Sequence, residues 1–179
     1  MPVAPNSAPR SVVLIGMRAS GKTTVGRELA RRLGRPFVDV DDLIAELAGR
    51  PADDVLAQDG EPAFRALEER ALRLAAGRRG AVVATGGGSV LHDAAFAELA
   101  RGALVAWLAA PAELLEARQA RRPRPRLTDL APRAELLALL ARREPLYRAA
   151  ASLVIPVGEP GAPDPILALL RALQEETAP

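Results

Sequence analysis

Residues 16–23 read GMRASGKT, a complete match to the pattern G-x-x-x-x-G-K-[ST]. A match of this kind arises in about one random chain of this composition in three thousand, so no other feature limits the possible folds as tightly. It follows the apolar run 11–15 (SVVLI) and opens a helical pattern over residues 22–33. That placement is what a phosphate cradle requires. Gly16 and Gly21 let the loop curl until backbone N–H groups point inward, and the positive end of the following helix adds to the anion site. Lys22 is placed to reach the β- and γ-phosphates of a nucleotide, and the Thr23 hydroxyl to help hold Mg²⁺.

Beyond this motif, short apolar runs alternate with amphipathic stretches. Runs 11–15, 36–40, 81–84, 103–108 and 153–157 read as strands, being short and mostly β-branched. Helical patterns cover residues 22–33, 41–48, 52–58, 62–76, 93–101, 112–120, 133–150 and 165–176. Near-continuous apolar strands between helices imply a parallel sheet covered on both faces. The expected architecture is an α/β three-layer sandwich with a five-stranded parallel sheet, of the P-loop NTPase fold, with ligands at the carboxyl ends of the strands. In a chain of 179 residues, positions 11–176 are expected to form a single domain and the proline-rich residues 1–10 a loose, disordered leader. Residues 121–132 (RRPRPRLTDLAP) hold four arginines and three prolines. Proline removes backbone donors and biases its predecessor away from helix, so a long loop is expected here, a lid over about residues 119–132.

Composition removes several function classes. With 24 Lys+Arg against 22 Asp+Glu the formal net charge is only +2, which does not mark a nucleic-acid binder. No cysteine is present, so there is no disulfide framework and no thiolate site. One histidine, His92, cannot build a histidine zinc site and reads as a surface residue. No apolar run is long enough for a signal peptide or a membrane span, so a soluble, cytoplasmic protein is expected. Lys22 is the only lysine, among 23 arginines.

A guanine-specific GTPase normally carries Asn-Lys-x-Asp, but the only asparagine is Asn6 and the only lysine is in the phosphate loop. A motor ATPase would end a later strand in an acidic pair, whereas run 81–84 ends in Thr85-Gly86-Gly87-Gly88. What remains is a small kinase whose acceptor sits beside the γ-phosphate. Asp39 and Asp41, expected on one side of the second strand's end, suit hydroxyl binding, proton acceptance and Mg²⁺. Asp42 reads as the cap of the next helix. Gly86, Gly87 and Gly88 permit close backbone approach to a ligand, or simply a tight turn. Arg65, Arg118, Arg124 and Arg143 would each, taken alone, read as solvated surface residues. Trp107 is expected in the core, and packing explains Tyr147.

The strings GMRASGKTTVGRELA, FVDVDDLI, DGEPAFRALEE, TGGGSV, RPRLT and REPLY, in this order and at this spacing, resemble the shikimate kinases over about residues 11–155. The resemblance implies transfer of the γ-phosphoryl group of ATP to the 3-hydroxyl of shikimate, on the route to chorismate and the aromatic amino acids, by a monomer. Carried over by position, Gly16, Ala19, Ser20, Gly21, Lys22, Thr23 and Thr24 would bind ATP, with Thr23 and Asp39 at Mg²⁺. Asp41 would grip the shikimate hydroxyls and serve as catalytic base; Arg65, Arg143 and the Gly86–Gly88 backbone would hold the rest of that ligand. Arg118 would stack on adenine and Arg124 would swing onto the phosphates as the lid arginine. The lid here reads Arg124-Pro125-Arg126-Leu127-Thr128 where many members read R-P-L-L, so Arg126 is a second candidate for the lid charge. Other readings of the same fold are a gluconate-type or nucleotide kinase and a non-catalytic ligand sensor. Both fit the joint motifs less well.

The lone lysine supplies a test. A planar guanidinium keeps the charge of Lys22 but not its compact shape among curled amides and phosphate oxygens. Lys22→Arg is therefore expected to abolish nearly all phosphotransfer while circular dichroism shows intact folding.

Overall fold

β1 (Val12–Ile15) has no accessible side chain because it runs through the middle of the sheet. The computed structural model describes residues 9–175; residues 1–8 of the leader expected over residues 1–10, and the last residue of the predicted final helix, Glu176, lie outside the described residues. β2 (Phe37–Asp39), β3 (Val82–Ala84), β4 (Leu104–Ala109) and β5 (Leu153–Pro156) complete five parallel strands in the order β2-β3-β1-β4-β5. Val13 lies between Val83 and Val105 in register.

The two-residue period of β1 divides the core. Val12 and Leu14 pack with Leu29 of α1 (Lys22–Leu33), with Ile155, and with Leu169 of α7 (Pro165–Glu175). Val13 and Ile15 point the other way. They join residues of α2 (Val40–Ala48), α3 (Ala52–Ala76), α4 (Asp93–Ala100), α5 (Ala112–Arg121) and α6 (Pro132–Ala150). Helices on both faces give the expected three layers. Trp107 is buried in this second core, its ring tilted against Tyr147.

Because all strands are parallel, the loops after β1, β2 and β3 emerge at one end. The chain runs from β1 outward to β2, returns to β3, then crosses to β4 on the far side of β1. That reversal opens a crevice above β1, the usual ligand position in such sheets.

Three local departures from the sequence reading have physical causes. β2 stops at Asp39 and α2 starts at Val40, so Asp41 sits in a first helical turn rather than on the strand. Asp39, not Asp42, caps this helix, its carboxylate accepting from the Asp41 N–H at 3.0 Å. The predicted helices 52–58 and 62–76 abut across Gly60, whose φ of 83° breaks the helix before Pro62. The coil after α5 spans residues 122–131, where the lid was expected.

Gly26 shows how closely the first core is packed. A Cβ there would lie 2.7 Å from the Phe37 ring and 3.1 Å from Leu14 Cδ1. Alanine in a helix interior gains about 0.5–1 kcal/mol over glycine, but overpacking costs about 1–3 kcal/mol. Gly26→Ala is thus expected to destabilise the protein by about 1 kcal/mol, lowering the thermal midpoint by about 2–4 °C in differential scanning calorimetry.

Candidate active site

The crevice above β1 is a cleft of about 800 Å³. Its floor is the phosphate loop between β1 and α1. Gly16 has φ 136°, and a Cβ on it would lie 2.8 Å from the Leu108 carbonyl oxygen, so only glycine fits where the loop leaves the strand. Ala19, at φ 67°, holds a left-handed conformation that costs a non-glycine residue on the order of 1–3 kcal/mol. Arg118 braces this turn, donating from Nη1 to the carbonyls of Ala19 (3.0 Å) and Ser20 (3.3 Å). Lys22 is buried, and its Nζ donates to the Gly16 and Met17 carbonyls at 2.8 Å each. Burial pushes its pKa down to about 8, against the opposing pull of Asp41 and Asp39.

Beside Lys22, the Thr23 hydroxyl donates to Asp39 Oδ2 at 2.8 Å. Burial raises the Asp39 carboxyl above its ordinary range, and that hydrogen bond only partly offsets it. Arg124 reaches in from the coil after α5, its Nη1 3.0 Å from Asp41 Oδ2 and its Nε 3.5 Å from Asp53 Oδ2.

A second cationic group lines the opposite wall. Arg65 donates to Glu68 Oε2 at 2.5 Å, three residues along the same helix. The other oxygen of this fully buried carboxylate takes the Ser89 hydroxyl at 2.8 Å, and His92 Nε2 lies 2.9 Å from Oε2. Burial opposes the Glu68 charge, but His92, Arg65 and Ser89 outweigh it and hold the carboxyl below its ordinary range. Arg143, 3% exposed, has a buried Nε with no hydrogen-bond partner. Burial lowers its pKa, and neighbouring Arg65 and Arg18 add to the effect. The Tyr147 hydroxyl also meets this guanidinium but brings no counter-charge, and a buried cation without a paired anion costs several kcal/mol. Between these walls runs the glycine turn. A Cβ on Gly86 would collide with Glu68 and one on Gly88 with the Arg65 guanidinium, while the Tyr147 hydroxyl donates to the Gly87 carbonyl.

Among the candidates named from sequence, Ala19, Ser20, Gly21, Lys22, Thr23, Thr24, Asp39, Asp41, Arg65, Gly86, Gly87, Gly88, Arg118, Arg124 and Arg143 all line this one cleft. Gly16 lies beneath it, acting through its carbonyl on Lys22. Arg126 does not line it; half exposed, it sits 3.9 Å from Glu135. His92 is corrected: its ring is 12% exposed and turned onto Glu68, not at the surface. Arg18, Glu68 and Glu135 escaped the sequence reading. Glu68 had a usable signal, since it stands at i+3 from Arg65 on a predicted helix.

The family model for shikimate kinase matches residues 18–172. The chain belongs to the shikimate kinase family. A shikimate kinase of Oleidesulfovibrio alaskensis is 44% identical over 155 residues, covering 84% of this chain and 90% of that protein. One of Symbiobacterium thermophilum is 42% identical over 168 residues, covering 92% and 97%. The solved structure of a shikimate kinase from Acinetobacter baumannii in complex with shikimate superposes with a TM-score of 0.86 at 33% identity, covering 96% of each chain. A gluconokinase from Sinorhizobium meliloti reaches a TM-score of only 0.54 at 21% identity, which shows a shared fold and no more.

The glycine turn offers a test of how this shikimate kinase site is built. Arg65 is pinned by Glu61 and Glu68, so it cannot swing away from an added methyl group at no cost. Gly88→Ala is expected to raise the KM for shikimate about tenfold or more, the loss of one charge-assisted contact, with the KM for ATP within about twofold. Initial-rate kinetics with each substrate varied in turn would measure both.

Proposed function

We propose that this chain transfers the γ-phosphoryl group of ATP to the 3-hydroxyl of shikimate, with residues 11–176 as one catalytic unit and the segment around 119–132 as its lid. The observation that carries this reading is the partnerless Nε of buried Arg143, beside Arg65 and in one cleft with the phosphate loop and Asp41. A small carboxylate bearing hydroxyls satisfies both walls at once: Arg65 and Arg143 take the carboxylate, and Asp41 takes the hydroxyls.

ATP lies with its phosphates over the loop amides from Ala19 to Thr24 and its base toward Arg118. Lys22 exchanges its bonds to the Gly16 and Met17 carbonyls for phosphate oxygens, whose charge favours its protonated form. Thr23 and Asp39 fit a Mg²⁺ ion. Both present oxygen donors, side by side at 2.8 Å, and Mg²⁺ takes one or two such ligands and fills its remaining positions with phosphate and water. Among the described residues no cluster of three acidic or histidine side chains competes for it. When bound, the ion neutralises charge on the phosphates.

Asp41 orients the acceptor hydroxyl and receives its proton as the hydroxyl oxygen bonds to the γ-phosphorus and the bond to the β,γ-bridging oxygen breaks, leaving ADP. Arg124, now on Asp41, moves onto the phosphoryl oxygens and stabilises the charge that spreads over them. Closing the lid keeps water from replacing the substrate hydroxyl. We take the chain to act as a monomer, in the cytoplasm, on two small molecules; no described helix is long and apolar enough to cross a membrane.

Coupled ADP release with Mg·ATP tests the reading. Shikimate should drive release and gluconate and nucleoside monophosphates should not; folded protein inert toward shikimate would refute it. In the same assay Arg124→Ala should lower kcat by about a hundredfold or more, as for loss of one electrostatic donor. Arg126→Ala, which removes a residue outside the cleft, should lower it less than about threefold.

A further inference from the structure

Glu135 is a buried carboxylate outside the reaction just described, and four residues of the lid and loop converge on it. It stands in the first turn of α6, 6% exposed. Its Oε1 accepts from the Leu127 N–H at 3.3 Å, and its Oε2 from the N–H and hydroxyl of Thr128 at 3.1 and 3.0 Å. Arg126 Nε lies 3.9 Å from Oε2 and Arg18 Nη2 3.7 Å from Oε1. Arg18 is the third residue of the phosphate loop, yet its side chain leaves the loop. Its Nη1 donates to the Pro125 carbonyl at 3.1 Å. Residues 125–128 are therefore held from two sides, by the start of α6 and by the loop that carries the phosphates.

This anchoring reaches Arg124 through the backbone. Pro123 and Pro125 flank it, so the φ angles on both sides are fixed and Arg124 itself is biased toward extended conformations. Fastening Pro125 to Thr128 then restricts where the Arg124 guanidinium can go. Leu127, packed against the second core, adds an apolar stop.

We propose that Glu135, with Arg18, is a positioning residue that fastens the lid to the phosphate loop and so delivers Arg124 over Asp41. The proposal rests on the kinase reading above for its catalytic consequence, but not for the fastening itself. Arg126 then has a defined place, supplying positive charge to Glu135 from the solvent side. Occupation of the loop and placement of the lid are mechanically linked, because Arg18 belongs to the first and holds the second.

The test uses Glu135→Gln, which keeps shape and one acceptor oxygen but loses the charge. It should lower kcat about tenfold, the effect of removing a charged hydrogen-bond acceptor, with the KM for shikimate within about twofold. The loss should vanish in an Arg124→Ala background, since a residue acting through Arg124 has nothing left to position. Trypsin supplies a readout independent of activity. Arg122 and Arg124 precede proline and resist cleavage, so cutting after Arg126 reports release of the lid; its rate should rise severalfold in Glu135→Gln. If that variant does not fold, Thr128→Val removes one of the contacts and should show the same pattern at smaller amplitude. Wild-type kcat in Glu135→Gln, or an equal loss with and without Arg124, would overturn the proposal. Were the wild type inert toward shikimate, the kinase reading would fail while the cleavage rates would still decide whether Glu135 fastens the lid.

Discussion

Cations held close to one another repel, and the cleft of this protein is lined by buried Lys22 and Arg143, half-buried Arg18 and Arg65, and the more exposed Arg124. Buried or half-buried carboxylates are set among them so that three of the five have a hydrogen-bonded or ion-paired carboxylate. Glu68 takes Arg65, Glu135 takes Arg18, and Asp41 takes Arg124. Lys22 sits on loop carbonyls with Asp39 and Asp41 nearby. Arg143 has the Tyr147 hydroxyl beside it but no carboxylate, and its buried Nε has no hydrogen-bond partner. Stability and ligand choice are thus aspects of one charge distribution.

The sheet makes that distribution possible. Parallel strands send the loops after β1, β2 and β3 to one end, and the order β2-β3-β1-β4-β5 leaves a crevice over β1. Two helices then position the side walls. α3 carries Arg65 and Glu68 one turn apart, and α6 carries Glu135 at its start and Arg143 and Tyr147 further on. The lid coil between α5 and α6 begins near Arg118 and ends near Glu135. One segment therefore lends Arg122, Arg124 and Leu127 to the lining of the cleft.

Much of this was legible in the residues alone. The phosphate loop could be read because each of its constraints is local: a positive φ at Gly16, a helix starting at Lys22, a strand stopping at Ile15. The strands could be read because burial on both faces makes them nearly all apolar. Asp39 and Asp41 were rightly grouped but by the wrong geometry; a cap and a first-turn residue, not two strand positions, bring them together. His92 and Glu135 were opaque for a different reason. His92 meets Glu68 24 residues away, and Glu135 meets Arg18 117 away and the irregular coil at Leu127 and Thr128, and no periodicity records such meetings. The preference of charged groups for the surface, correct for most of the 23 arginines, misleads where a fold buries them in pairs.

Lys22 bears on more than phosphates. It is the only lysine in the sequence, and the fold places it at the floor of the cleft with 7% of its surface accessible. Surface acylation or crosslinking through lysine side chains, which touches most proteins at many points, has here a single address. Apart from a chain's α-amino group, an amine-selective reagent meets one nucleophile, and it meets it only by entering the cleft. Covalent labelling thereby becomes a count of how often that cleft stands uncovered.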